Sequence, residues 1–323
     1  MISRYPFAPR PCDARLKMRI ASLNTQNMRL LPSREVGRLH GAWDSDDPED
    51  PSLDRIDRRL TADLLRETDA DLIALQEVFD LATLEHFHAR YLLPSGARPY
   101  AHRVCLPGND GRGLDVAILS RRALGEVRSH ATLTPGDLGL SLPEGVDPEM
   151  PVFRRDCLMA EVGALTLFVM HFKSPYPDEA ASWRTRNLEA QAARALIERH
   201  FEAPASALWL ILGDLNEPDD PHLSLPRATA PLEHGFSVDL MARMPRPERW
   251  TYFDPHSGRY HCPDAMLASP ALAARYPDAV PRILRKGLGE EAARFAGARL
   301  EGVGFHRPHA SDHAAVVIDL PGL

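Results

Sequence analysis

LWLILGDLNEP, residues 208–218, is the stretch on which the reading of this chain turns. Residues 208–212 form an apolar strand pattern that stops at Gly213-Asp214-Leu215-Asn216. Asp214 and Asn216 are two residues apart, so in an extended chain they face the same side. Taken alone, GDLN is an ordinary turn, since Gly, Asp and Asn are common turn formers. Recurrence changes that reading. MRIASLN (18–24) ends on Asn24; the run 72–75 ends on Gln76-Glu77; the run 165–170 ends on His171. The last strand pattern, 314–320, comes after Ser311-Asp312-His313, and Asp264 opens another, DAMLA. Strand ends of this kind, meeting on one edge, would make an oxygen-rich cage flanked by two imidazoles. Carboxylate and amide oxygens suit Mg²⁺ or Mn²⁺, which are hard cations.

Outward from these strands the remaining elements are less specific. Leu53, Ile56, Leu60 and Leu64 fall at helical spacing, and Ser52 is placed as their N-cap. A short helix is expected at about 81–90 and a long one over 178–200. DVAILS (115–120) is a strand, and Gly163-Ala164 between two apolar runs signals a hairpin. Residues 32–51, 94–113 and 132–151 read as loops. Strands joined by hairpins as well as by helices imply mixed sheets. Neither a repeat nor an interior linker divides the chain. The expected organisation is an N-terminal extension, residues 1–17, and a single catalytic domain over 18–323.

Composition sets the outer limits. Of 323 residues 44% are hydrophobic, enough for a sizeable core, which excludes global disorder. No apolar run approaches the ~18 residues of a membrane helix. The four cysteines are far apart and form no CxxC pair, so no disulfide framework is expected, and no apolar leader is seen. A cytoplasmic location is the default expectation. The balance of 38 basic and 45 acidic residues gives −7, and only Lys17, Lys173 and Lys286 are lysines. Such a chain is a poor non-specific binder of long nucleic acid, although a local arginine-lined cleft would still grip phosphate.

The order LNTQN, ADLIALQEV, GLDVAILSRR, VMHFKS, LILGDLNEP, DAMLAS, SDHAAVVIDL resembles the endonuclease/exonuclease/phosphatase superfamily over roughly residues 18–320. The resemblance implies a four-layer α/β sandwich, two mixed β-sheets face to face with helices outside. It implies cleavage of phosphoester bonds that depends on a divalent metal, in a family spanning nucleases, deadenylases, inositol-polyphosphate phosphatases and sphingomyelinases. Carried over by position, Asn24, Glu77 and Asp312 match the metal site. Asp214, with Asn216 beside it, matches the residue that orients or deprotonates the attacking water. His313 matches the histidine on the scissile phosphate, Asp264 the acid behind it, and His171 a histidine near the leaving group. Family members often carry Arg two residues before the Asp264 position; here the nearest arginine is Arg259. These roles suit in-line attack, where a metal ion and a cationic imidazole meet the charge that builds on phosphate oxygens.

Lys173, Arg112, Arg103 and Arg186 are the candidate substrate contacts: Lys173 comes two residues after His171, Arg103 and Arg112 lie on a Gly-rich loop, and Arg186 opens the long helix near that site. His306, His309 and His313 have a zinc-like spacing but read as a loop of exposed histidines. The acidic cluster Asp44, Asp46, Asp47, Glu49 and Asp50 reads as a solvated loop. The leading expectation is a Mg²⁺- or Mn²⁺-dependent phosphodiesterase, foremost a nuclease acting on short or single-stranded nucleic acid, with no protein partner inferred. The alternative is a phosphatase or phosphodiesterase on a small or lipid-linked phosphate. An inactive phosphate-binding module is disfavoured because Glu77, Asp214 and His313 are all present.

Overall fold

The computed structural model describes residues 17–32, 37–44, 50–142, 147–218, 225–233 and 235–323. In chain order the strands are β1 (Lys17–Met28), β2 (Leu30–Leu31), β3 (Arg38–Leu39), β4 (Leu72–Val78), β5 (His102–Cys105), β6 (Asp115–Ser120), β7 (Val127–Arg128) and β8 (Cys157–Val162). Next come β9 (Leu165–His171), β10 (Trp209–Asp214), β11 (Val238–Asp239), β12 (Tyr252–Asp254), β13 (Arg259–His261), β14 (Asp264–Ala268), β15 (Arg282–Leu284) and β16 (Ala315–Pro321). The α-helices are α1 (Asp54–Thr68), α2 (Leu81–Phe87), α3 (Pro135–Leu138), α4 (Glu179–His200) and α5 (Pro270–Arg275).

Two six-stranded sheets, β15-β16-β1-β4-β6-β5 and β11-β14-β10-β9-β8-β7, form the frame. Both are mixed. β1 runs parallel to β4 and antiparallel to β16, and β10 runs parallel to β9 and antiparallel to β14. Side chains alternate across each strand. Ile20, Leu72, Ala74 and Ile118 point inward to meet Leu167, Val169, Leu210 and Leu212 of the other sheet. Their neighbours Leu23, Ile73, Leu75 and Leu119 point outward, under Leu60, Leu64 and Leu65 of α1. Phe168, Met170, Trp209 and Ile211 do the same under Ala192, Ala193 and Ile197 of α4. Strands covered on both faces read as continuous apolar runs, and the result is the expected four-layer sandwich. No helix among the described residues is long and apolar enough to cross a membrane.

Several local expectations are corrected. α1 has Leu53, not Ser52, at its N-cap, with no side-chain cap; the Ser52 hydroxyl donates instead to Asp50. Asp54 and Asp57 in the first turn take over, both contacted by the Arg307 guanidinium. The 94–113 segment is not all loop, because residues 102–105 pair with β6 as an edge strand. The 132–151 segment contains α3, closed by a capping box between Thr134 and Asp137. The helix expected at 81–90 ends at Phe87 and passes into a wider π turn, His88–Leu92. The first strand begins at Lys17, which pairs with Pro321 and forms an ion pair with Asp319. Of the acidic cluster, Asp44 and Asp50 are described; Asp46, Asp47 and Glu49 lie outside the described residues, as do residues 1–16.

Candidate active site

The register of the second sheet makes half of the site. Asp214 ends β10, lying opposite His171 of β9 on one side and Asp264 of β14 on the other. Residues paired directly across strands project to the same face. All three continue the inward series Leu210–Leu212, Val169 and Met266, so they emerge where the sheets part. The preceding Gly213 is held at φ +136°, and a Cβ there would sit 2.0 Å from the Met170 carbonyl oxygen. No other residue fits that approach without moving β10.

The first sheet supplies the other half through a distortion. Alternation from Leu72 and Ala74 would put Gln76 inward and Glu77 outward. The β1–β4 register shifts between Asn24 and Met28, and the β4–β6 register shifts between Gln76 and Val78. Gln26, Asn27 and Glu77 take left-handed backbone angles, φ 49°, 55° and 62°. Three non-glycine residues in that region mark stored strain at adjoining bulges. The distortion turns Glu77 toward the gap. Asn24 Nδ2 donates to Glu77 Oε1 at 3.3 Å and to Asp214 Oδ2 at 3.1 Å, tying the sheets together. The Asn27 N–H donates to Glu77 Oε2 at 2.8 Å.

Asp312 and His313 arrive from the segment before β16. The Ser311 hydroxyl donates to the Asn24 carbonyl at 2.6 Å, and the Asp312 N–H donates to Gln26 Oε1 at 3.1 Å. His313 Nδ1 lies 2.8 Å from Asp264 Oδ2, and its Nε2 lies 3.8 Å from Asp214 Oδ2. His171 Nε2 is 3.5 Å from Asp214 Oδ2 and 3.9 Å from Glu77 Oε1. Asn216 holds the far oxygen of Asp214, donating its N–H to Oδ1 at 2.9 Å while its side chain donates to the Phe172 carbonyl at 3.1 Å. Asn24, Glu77, His171, Asp214, Asn216, Asp264, Asp312 and His313 are thus brought together at one end of the two sheets.

Burial and mutual charge sort these groups. Burial would lower the His313 pKa, but Asp264, Asp312 and Asp214 outweigh it and hold the imidazole well above its ordinary value. Burial drives His171 well below, assisted by the positive charges of Arg155, His313, Arg112 and Lys173. Asp214 is pushed up to about 6 by burial and by Asp264, against the pull of His313. Asp312 rises to about 8, through burial and the facing carboxylates Asp44 and Glu77. One histidine is therefore a cation and the other a neutral ring. His171 Nδ1 has no hydrogen-bond partner, which suits a tautomer with its proton on Nε2, toward the carboxylates.

The candidate substrate contacts separate. Arg112 is more than half exposed and held by Asp110, and its charge is felt by Glu77 and His171. Lys173 reaches the Ser174 carbonyl at 2.9 Å and also the Tyr176 carbonyl. Arg103 is not brought to the site. It lies opposite Leu119, at the end of the sheet remote from Glu77, and forms an ion pair with Glu85 at 2.8 Å. Arg186 is buried and donates to the Lys173 carbonyl at 3.2 Å, bracing that residue's backbone from behind. Arg259 is exposed on β13, opposite Asp254. His309 is buried rather than exposed. Its Nε2 contacts Gln26 Oε1 and the Ala42 carbonyl, and burial lowers its pKa to about 4.

Other residues near the site had no sequence signal. Arg155 is buried between Asp110 and the Phe172 carbonyl, as a fixed positive charge beside His171. Gln26 links Asp312 to Asp44, donating to Asp44 Oδ2 at 3.1 Å. The Tyr252 ring lies 4.9 Å from that of His313, with the two residues bridged backbone to backbone. Only GDLN-type strand endings were visible in sequence; these residues come from loops, a bulge and a short hairpin.

A phosphoester hydrolase scaffold is what this sandwich and its polar edge describe. The model of the Endonuclease/Exonuclease/phosphatase family matches residues 21–313, and the chain belongs to that family. None of the curated proteins matches it. Among solved structures it is similar to truncated TDP2 of Caenorhabditis elegans, at 14% identity, covering 94% of this chain and 97% of that one, with a TM-score of 0.55. An AP endonuclease from Archaeoglobus fulgidus is similar at 16% identity over 93% and 98% of the two chains, TM-score 0.55. D. rerio TDP2, complexed with a single-strand DNA product, is similar at 17% identity over 94% and 98%, TM-score 0.52. At such identities the likeness is one of fold.

Proposed function

We propose that this chain is a divalent-cation-dependent phosphodiesterase, acting on nucleic acid by in-line attack of water. The observation that carries the reading is the pairing of Asp214 with His313. Two buried groups lie 3.8 Å apart, a carboxylate whose pKa burial raises to about 6, so that it is ionised at neutral pH yet basic, beside an imidazolium. Such a pair supplies a base and a phosphate-binding cation in one water-poor site.

The donor chemistry fits Mg²⁺ or Mn²⁺. Glu77 and Asp312 offer carboxylate oxygens and Asn24 an amide oxygen, all hard donors, and Asp312 meets carboxylates that only positive charge would relieve. Asn24, Glu77 and Asp312 would hold the cation, and when bound it supplies charge against the oxygens of the phosphate.

The chain's own groups do the rest. Asp214, fixed by the Asn216 N–H, accepts a proton from water as the water oxygen bonds to phosphorus and the ester bond opposite breaks, its electron pair leaving with the ester oxygen, which then takes a proton from solvent. His313, held by Asp264, donates from Nε2 to a phosphate oxygen. His171 stays neutral and donates a hydrogen bond without giving up its proton. Arg112 and Lys173 meet neighbouring phosphates, while Arg155 and Arg186 hold that flank in place. The single-strand DNA product in a D. rerio structure of this fold supports nucleic acid as the substrate class. The test is hydrolysis of bis(p-nitrophenyl) phosphate with Mn²⁺ and with Mg²⁺. Turnover abolished by EDTA and by Asp214→Asn is expected; absence of turnover with either metal refutes the reading.

A further inference from the structure

Charge around Asp214 is lopsided. Arg112, Arg155 and Lys173 stand on the flank of β6, β8 and β9. On the flank of β16 a cleft opens directly beside Asp312. Phe253 and Leu288 line it, backed by the small apolar cluster around Trp250, and Tyr252 walls it next to His313. Its carboxylates besides Asp312 are Asp44 and Glu291; His256, His306 and the buried His309 also line it, and among the described residues lining it there is no lysine or arginine. Glu291 is fixed in place, accepting the His306 N–H, with its other oxygen 3.6 Å from His306 Nδ1. The wall is tied by backbone bonds that close the 287–310 segment on itself, from Glu290 to Gly304 and from Ala310 to Gly287.

We propose that this cleft holds one ester arm of the substrate phosphodiester, an arm that carries no phosphate of its own, such as a single terminal nucleoside. The proposal rests on the phosphodiesterase reading above. Aromatic and apolar walls suit the face of a ring. Asp44 and Glu291 repel a further phosphate, while Arg112 and Lys173 across the site attract one. The substrate strand therefore continues over the cationic flank and ends in the acidic one. Cleavage takes place one unit from a chain end.

Three thymidine dinucleotides test this: one without terminal phosphate, one phosphorylated only at the 5′ end, one only at the 3′ end. One phosphorylated form should match or exceed the parent, and the other should lose at least about tenfold in kcat/KM. A covalently closed single-stranded circle should resist cleavage that trims the linear chain of the same sequence. Glu291→Lys should recover much of the disfavoured dinucleotide's loss, and His256→Lys on the exposed rim of the cleft should do the same without disturbing the 287–310 segment. Equal treatment of both ends, or a circle cut as fast as the linear chain, overturns the proposal. Bis(p-nitrophenyl) phosphate, with two phosphate-free arms, is run alongside. If it is not hydrolysed, the phosphodiesterase reading itself fails. If it is, and the dinucleotides differ neither in turnover nor as competitors in inhibition constant, only the inference about the arm fails.

Discussion

Asp214→Asn preserves the shape of the side chain and removes its charge, and the contacts around the carboxylate set the size of the effect. Oδ2 is ringed by Asn24 Nδ2 at 3.1 Å, His171 Nε2 at 3.5 Å and His313 Nε2 at 3.8 Å, and Oδ1 accepts the Asn216 N–H. An amide satisfies only one side and cannot take a proton from water. Loss of a general base costs about 10²–10⁴ in kcat, or about 3–5 kcal/mol of transition-state stabilisation. Stability should move the other way. With its pKa raised from 3.8 to about 6, ionised Asp214 costs the cation-free fold about 3 kcal/mol at neutral pH. The variant trades that cost for a facing pair of N–H donors and should melt within a few degrees of the parent. The assay is kcat/KM for bis(p-nitrophenyl) phosphate with saturating Mn²⁺ from pH 4.5 to 9. The parent should lose activity on the acid side at or below about pH 6, since a bound cation only pulls the carboxylate lower; the variant should lack that limb. A loss under tenfold, or an unchanged acid limb in the variant, would refute Asp214 as the base.

Glu77→Gln should weaken Mn²⁺ binding by calorimetry and recover part of its activity as Mn²⁺ is raised; a loss indifferent to Mn²⁺ would remove Glu77 from the metal site. Asp264→Asn should lower the His313 pKa and pull the alkaline limb of kcat to lower pH, and the acid limb should move the same way because Asp264 also raises Asp214; an unmoved alkaline limb contradicts that pairing. Asp312, raised from 3.8 to about 8, keeps in the fold a proton that the unfolded chain has already lost, so its contribution is complete below about pH 4 and disappears as pH rises through about 8. Above pH 7, where His171 and His309 are neutral in both states, the urea midpoint of EDTA-treated protein should fall toward pH 9 and Mg²⁺ should restore it; a rising midpoint would reverse the sign of this argument. Binding of the Asp214→Asn protein to single-stranded DNA should show a salt slope of only about two to four phosphate contacts, and a slope near −8 would indicate a DNA-tracking surface.

The sheets were legible because their strands are covered on both sides, so residues 72–75, 167–170 and 208–212 are unbroken apolar runs with a polar full stop. His171, Asp214 and Asp264 needed only an extended register to be placed together. Glu77 was found by its position in the motif, although strict alternation would have turned it away; the left-handed turn at Gln26, Asn27 and Glu77 is a joint property of two strands and has no one-strand signature. Arg103 and Arg186 were misplaced for related reasons. One lies on an edge strand whose partners lie some fifteen residues away in sequence, and the other is swallowed by the helix face that packs on the second sheet. Arg155, Asp44 and Tyr252 enter from loops and a short hairpin, whose paths are set by long-range packing that local pattern does not encode.

The last strand, β16, pairs with β1 across some three hundred residues, Lys17 with Pro321, and delivers Asp312 and His313 only as it docks. The remaining strands of the site are made much earlier. During synthesis, β1 must wait beside β4 with its other edge bare while the whole second sheet is translated. Contacts of such long range form slowly, and an exposed edge invites wrong pairing. The same delay orders the assembly of the site: a nascent or truncated chain has Asp214 but neither Asp312 nor His313. The candidate site is therefore completed only with the closing of the sheet, and a partly made copy lacks its last two groups.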